Sequence, residues 1–302
     1  MKYLYYPGCS LKSSGRAYEE SLLPVLAALG VEVEEIADWN CCGATTYMAI
    51  DERKAFGLAA RNLALAEAQA DEDAEQVQVI APCSACYLGL AKAQAYMRKR
   101  PGLQSRVLSG LEQVGLKYED KVRVRHPVDV LLNDVGAAAI ARLCKNPLKG
   151  LKVASYYGCQ MLRPFAAFDD AHNPTSMDQL AKAAGATPVD WPLKTRCCGG
   201  TLTGTITEVG VRLSQILLRE AVRRGADVVT TNCPLCQLNL ECFQKQMNRM
   251  FGEKIQLPVM YFSQLLGVAL GIPQKDLGFD RLFVPFRYSP PAPPKQTAGA
   301  HA

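Results

Sequence analysis

The chain has 302 residues, 49% of them apolar by a broad count, with charged residues at 21% and a formal net charge of +5. That is enough apolar sequence for a large core and enough length for about two domains. The charge is too dispersed for a nucleic-acid surface: the densest basic run, Arg98–Lys99–Arg100, stops at Pro101 and reads as a solvated helix end opposing the helix dipole. Twelve cysteines are too sparse at this length for a secreted disulfide scaffold. The N-terminal Met1–Pro7 carries no long apolar stretch of the secretory kind. No stretch reaches the roughly 18–20 apolar residues of a membrane span, the nearest being Val259–Pro273, which contains Ser263 and Gln264. The expectation is a cytoplasmic protein whose grouped, reduced thiols serve metal or redox chemistry.

In chain order, Lys2–Tyr6 is a short β-rich run leading into Cys9, and Arg16–Leu29 has helical spacing, with Leu22, Leu23, Leu26 and Leu29 on one face. A second short strand, Val31–Ile36, leads to Cys41–Cys42–Gly43. The helix Asp51–Gln69 follows, with Phe56, Leu63 and Ala66 or Ala70 in phase. The strand Val77–Ala81 then runs into Cys83–Ser84–Ala85–Cys86. Pro147 and Gly150 break the chain near residue 148. Beyond them the order repeats: Lys152–Tyr156 before Cys159, Ala186–Val189 before Cys197–Cys198–Gly199, the helix Ile206–Arg223, the strand Val228–Thr231 before Cys233–Pro234–Leu235–Cys236, and a helix over Leu235–Met250. Cys9 and Cys159, Cys83 and Cys233, and Cys86 and Cys236 are each 150 residues apart, while the adjacent pairs are 156 apart. Tyr5–Tyr6–Pro7–Gly8–Cys9 answers Tyr156–Tyr157–Gly158–Cys159, and Pro127–Val128 answers Pro258–Val259.

A repeat of this length is a domain duplication. The predicted fold class is α/β: two tandem, duplicated Rossmann-like units with parallel sheets related by pseudo-two-fold symmetry. The units are expected over residues 1–147 and 148–288, followed by a disordered, Pro- and Ala-rich tail over 289–302. Before the tail, Phe279–Tyr288 is expected to pack on its own domain, with contact to a partner subunit as the alternative.

The thiols of each half sit where strands end and helices begin, the ligand crevice of parallel sheets. Helix N-termini there suit thiolates and sulfides. Adjacent cysteines rarely both reach one ion, but they can both reach a multi-iron cluster, and five thiolates exceed the four that a cubane uses. Zinc closes with four ligands, so zinc in one site is the alternative. Cys144 and Cys242 have no counterparts and read as buried small apolar residues. There is no dinucleotide or phosphate loop and no ferredoxin cysteine run. Of the three histidines, His126 stands at a strand-to-helix junction with no counterpart at Leu257, and His301 is in the tail. His172 is the candidate proton donor, weighed against an ordinary surface histidine. Arg163 and Lys194 are candidate attractors for an anionic substrate, weighed against solvated charges.

The motif Cys9…Cys41–Cys42–Gly43…Cys83–x–x–Cys86, repeated as Cys159…Cys197–Cys198–Gly199…Cys233–x–x–Cys236, resembles the tandem cysteine-rich CCG domain of the heterodisulfide reductase B-type polypeptide, over about residues 1 to 275. The gap from Cys42 to Cys83 is slightly long for that family. The resemblance implies that each quintet holds a non-cubane [4Fe-4S] cluster. It also implies that the two clusters face a shared cavity, where a disulfide is cleaved with one electron from each. Partners implied are a heterodisulfide reductase C-like, ferredoxin-type iron–sulfur subunit and, through it, a flavin-containing A-like subunit. The implied substrate is a disulfide or thiol, carrier-bound in bacterial sulfur-oxidation relatives. Relatives with the same motifs in quinone-linked dehydrogenase complexes imply the alternative role of an electron-transfer or docking subunit.

Overall fold

A computed structural model describes residues 1–71 and 73–289. His301 and the expected tail, apart from Ser289, lie outside them. The first half holds strands β1 (Lys2–Tyr5), β2 (Glu32–Glu35), β3 (Val77–Ile80) and β4 (Val122–Arg125). Its helices are α1 (Gly8–Leu11), α2 (Arg16–Ala28), α3 (Thr46–Ile50), α4 (Glu52–Gln69), α5 (Ser84–Lys99), α6 (Pro101–Glu112), α7 (Pro127–Val130) and α8 (Ala137–Leu143). The second half holds β5 (Lys152–Tyr156), β6 (Thr187–Pro188), β7 (Val228–Thr231) and β8 (Val259–Tyr261). Its helices are α9 (Ser176–Ala183), α10 (Leu202–Thr205), α11 (Thr207–Arg223), α12 (Pro234–Glu241), α13 (Gln244–Phe251) and α14 (Phe262–Leu270).

Each half is one parallel four-stranded sheet, ordered β2-β1-β3-β4 and β6-β5-β7-β8. The strand order reverses between the first and third strands of each sheet, which is where a doubly wound sheet opens a crevice beyond its strand ends. Cys9 and Cys83 follow those two strands in the first half, and Cys159 and Cys233 follow them in the second. The duplicated α/β architecture read from the sequence is the architecture observed.

The registers correct one sequence equivalence. Ile80 pairs with Arg125, and Thr230 pairs with Met260. Because Ile80 and Thr230 are 150 apart, like the cysteines they precede, His126 is the counterpart of Tyr261, and not of Leu257. Pro127 opens a helix whereas Pro258 precedes a strand, so the two prolines mark different structural positions.

The largest core cluster draws on both halves, beside a smaller one within each half. The apolar stretch Val259–Pro273 forms β8 and the buried helix α14, which packs on α2 of the first half and on α9. The fully buried Leu265 and Leu266 each contribute about 1.5–3 kcal/mol by burial. Tyr18 and Tyr261 stack across the junction with ring centroids 4.4 Å apart, and Ser21 Oγ lies 2.7 Å from Ser263 Oγ. On the pseudo-symmetric flank, His126 stacks on Phe168 at 6.4 Å, so both aromatic pairs cross between the halves. Among the described residues no helix is long and apolar enough to cross a membrane.

Three further expectations change. The helix expected over Leu235–Met250 breaks at Cys242–Phe243, because the buried Gln244 amide donates to Leu240 O and Leu257 O and accepts from Leu257 N. Cys144 and Cys242 are half-buried at helix C-termini, not deep in the core. Residues 279–288 strap both halves instead of packing on one. Arg281 makes a two-pronged ion pair with Glu20 of α2 (2.6 and 2.7 Å), Val284 N–H donates to Glu241 (3.3 Å), and Tyr288 Oη donates to Lys149 O (3.0 Å).

Glu241 is buried, and desolvation raises its pKa to about 8 although N–H groups of Val284, Phe283 and Gln237 favour the carboxylate. The folded state therefore prefers the protonated acid. Its contribution to stability is complete below the unfolded value near 4.5 and is lost as pH rises through the folded value near 8. Glu241→Gln should flatten the fall in melting temperature between pH about 5 and about 8, and stabilise by about 1–3 kcal/mol at the upper end. Thermal unfolding at both pH values checks this; parallel curves for the two proteins would contradict it.

Candidate functional site

In the first half, the turn after β1 needs Gly8. Its φ is +70°, and a Cβ there would sit 2.8 Å from Cys86 Sγ. Gly158 repeats this after β5, with φ +67° and a Cβ position 3.2 Å from Cys236 Sγ. Each half thus brings bare backbone against its second Cys-x-x-Cys sulfur. The tyrosine two residues before each glycine locks the adjacent-cysteine loop: Tyr6 Oη donates to Asn40 O at 2.7 Å, and Tyr156 Oη donates to Arg196 O at 2.5 Å. Those carbonyls immediately precede Cys41 and Cys197. Trp39 packs edge-on to Tyr6, and Trp191 packs against Tyr156. Asn62 grips the first loop further, accepting from Asn40 N–H and donating to Asn40 O.

All ten motif thiols are free, and within each half they follow one another in the same order. Cys9 Sγ is 3.9 Å from Cys41 Sγ, and Cys42 Sγ is 3.4 Å from Cys86 Sγ. Cys83 follows β3 and Cys233 follows β7, and Cys233, across the seam between the halves, and Cys86 are the thiols that lower the Cys83 pKa most. The second half repeats the order outward from Cys233, through Cys236, Cys198 (Sγ–Sγ 3.5 Å), Cys197 and Cys159. The order is palindromic about Cys83 and Cys233. Its ends are open, with Cys9, Cys41 and Cys197 exposed, while Cys83, Cys86, Cys233 and Cys236 at its centre are buried.

Hydrogen bonds from Cys42 and Cys9, then from Gly43 N–H, hold the Cys41 thiol far below its ordinary pKa. Cys197 is lowered in the same way by Cys159 and Cys198, with Gly199 N–H and the Arg163 charge assisting. Cys233 and Cys86 lower Cys83. Those three thiols favour the thiolate, the form that binds metal, while hydrogen bonds among the sulfurs raise Cys9, Cys42, Cys86, Cys159, Cys198 and Cys236, which hold the shared protons. The donor set fits an iron–sulfur cluster: five sulfurs per half, glycine backbone with no room for Cβ, and N–H groups aimed at sulfur. Among the described residues no three His, Cys, Asp or Glu side chains converge tightly enough to hold a single ion.

The other sequence candidates lie elsewhere or are engaged. His172 is exposed on a turn organised by Asp169 and Asp170, where its backbone N–H donates to Asp170 Oδ1 at 2.7 Å. Lys194 is buried and bound to Pro174 O (2.7 Å) and Asp178 (3.4 Å), which leaves it no free charge for a substrate. Arg163 donates to Thr195 O at 2.6 Å, and its charge reaches Cys197. Sequence reasoning missed Asn239, one turn beyond Cys236. It donates to Gly200 O at 2.8 Å and to Cys198 Sγ at 3.4 Å.

This is a duplicated parallel α/β protein with a cysteine quintet at the crevice of each sheet. The CCG cysteine-rich domain model matches residues 3–91 and again 153–241, and the chain belongs to that family. It is 32% identical over 281 residues to the 8-methylmenaquinol:fumarate reductase membrane anchor subunit of Wolinella succinogenes, covering 92% of this chain and 95% of that one. It is 29% identical over 284 residues to the B-type polypeptide of the ferredoxin/F(420)H(2)-dependent CoB-CoM heterodisulfide reductase of Methanosarcina acetivorans, covering 91% of each. A crystal structure of a hypothetical protein from Helicobacter pylori shares the fold, with a TM-score of 0.76 and 15% identity. That match covers 95% of this chain, which spans only 52% of the solved one.

Proposed function

We propose that the chain is a heterodisulfide reductase B-like subunit that exchanges two electrons with a disulfide or thiol at two non-cubane [4Fe-4S] clusters, one per cysteine quintet. The observation that supports this reading is the pair of free-cysteine quintets, one at the crevice of each sheet, with the buried Cys83 and Cys233 each following the third strand of its half. Cleaving an S–S bond takes two electrons and two protons and gives two thiols, so a pair of one-electron sites matches its stoichiometry. A bound cluster supplies the electron at each quintet. The chain's own part is to hold five thiolates in place, to bury the junction beneath the Tyr18–Tyr261 and His126–Phe168 stacks, and to leave the Cys9, Cys41 and Cys197 ends open to solvent. Electrons pass to or from a ferredoxin-type C-like subunit and, beyond it, a flavin-containing A-like subunit. The relatives named as B-type polypeptides of heterodisulfide reductases support this reaction class, and a cytoplasmic site of action belongs to the same reading.

One observation favours a second reading, an electron-transfer or docking subunit of a quinone-linked dehydrogenase complex. It is the relative named as a subunit of 8-methylmenaquinol:fumarate reductase. Electron paramagnetic resonance of the anaerobically purified, oxidised protein separates the two when dithiothreitol is added as a probe. The catalytic reading expects a new thiol-dependent signal. Clusters that titrate normally and ignore the thiol would leave the relay reading.

A further inference from the structure

The pseudo-symmetry is broken at the sulfurs by two side chains. Asn239 stands three residues after Cys236, and its counterpart three residues after Cys86 is Gly89. The Asn239 amide is fully buried. Its Nδ2 donates to Cys198 Sγ at 3.4 Å and to Gly200 O at 2.8 Å, and its Oδ1 accepts from Thr203 Oγ1 at 2.7 Å, which fixes which way it points. Gly89 faces the matching Cys42 sulfur with no donor, although a Cβ there would meet nothing nearer than Ala44 Cβ at 3.5 Å and Cys42 Sγ at 3.8 Å. Arg163 stands four residues after Cys159, where the first half has Ser13 after Cys9. The Arg163 guanidinium is held on Thr195 O at 2.6 Å, two residues before Cys197, whereas Ser13 turns its hydroxyl to Cys9 O. The first half has its own cation near Cys9, Lys12, but Glu19 and Glu35 each pair with it at 2.8 Å and neutralise it.

N–H donors and cations near cluster sulfur stabilise the added electron and raise the reduction potential. Both differences act in the same direction, toward the second quintet. Resting on the two-cluster reading above, we propose that Asn239 and Arg163 are positioning residues that make the Cys159–Cys236 site the more easily reduced of the two, so that the first electron given to the chain resides there. The junction at Cys83 and Cys233 then joins two sites of unequal potential.

The test is an anaerobic redox titration of the full-length, cluster-loaded protein, followed by electron paramagnetic resonance and absorption. The wild type should show two separate midpoints. Asn239→Gly and Arg163→Ser should each lower the higher midpoint and narrow the gap. Gly89→Asn, which adds the donor to the first site where there is room for it, should narrow the gap from below. If Asn239→Gly loses its clusters, Arg163→Ser and Gly89→Asn still decide. Fully loaded protein with one shared midpoint, or variants that retain iron and leave both midpoints unmoved, would overturn the tuning alone. A wild-type chain with no iron–sulfide absorption would overturn the two-cluster reading, and the tuning with it.

Discussion

Replacing Cys86 with serine should remove about half of the iron and acid-labile sulfide from the anaerobically purified protein, and replacing Cys236 with serine should remove the other half. Each of these thiols is buried within its quintet and lies against another motif sulfur, Cys42 at 3.4 Å for Cys86 and Cys198 at 3.5 Å for Cys236. Serine keeps the volume but offers a poor ligand to iron. The remaining quintet keeps its own strand ends, its own glycine turn and its own tyrosine lock, so it stays loaded. The spectra of the two variants should therefore add up to that of the wild type. Metal and sulfide analysis of each variant checks this; loss of all metal from either one would mean that the two sites are a single assembly.

Gly210→Ala produces the second large effect. Gly210 lies on α11, against the loop that carries Cys197 and Cys198. An added Cβ would sit 2.4 Å from Thr203 N and 2.7 Å from Thr203 Cα, both backbone atoms that cannot swing away. Gly199, just after the cysteine pair, would bring its own Cβ within 3.0 Å of Gly210 Cα, so loop and helix touch backbone to backbone. The substitution should cost about 1–3 kcal/mol or more by overpacking and empty the second site selectively. Gly57→Ala on α4 is the control. Nothing lies within 4 Å of a Cβ there, and the helix should gain about 0.5–1 kcal/mol. The melting temperature should fall for Gly210→Ala and rise for Gly57→Ala, and iron should be lost from the first variant alone.

The duplication and the crevice were legible because the chemistry fixes them to the chain. Cysteines at a common 150-residue offset, each following a β-rich run, locate the strand ends that carry them. The fourth strands were not legible. Val122–Arg125 is four residues long, and its buried Arg125 is tolerable only because Asp129 and Asp134 face it. That compensation comes from α7 and the turn beyond it and leaves no periodic signal. The proline equivalence failed for a related reason: a proline opens a helix and precedes a strand equally well. The strap over residues 279–288 and the helix α14 declare their partners only when α2, far away in sequence, is beside them. Asn239 could have been aligned with Gly89 from the offset alone, but its hydrogen bond to Cys198 depends on the loop geometry.

Iron, sulfide and zinc, counted together on the wild-type chain prepared without oxygen, bear on all of this at once. Two quintets that each hold an iron–sulfide core require about eight irons per chain, matching sulfide and negligible zinc. A chain that comes out with zinc and no sulfide, or with the iron of a single core, would contradict the account.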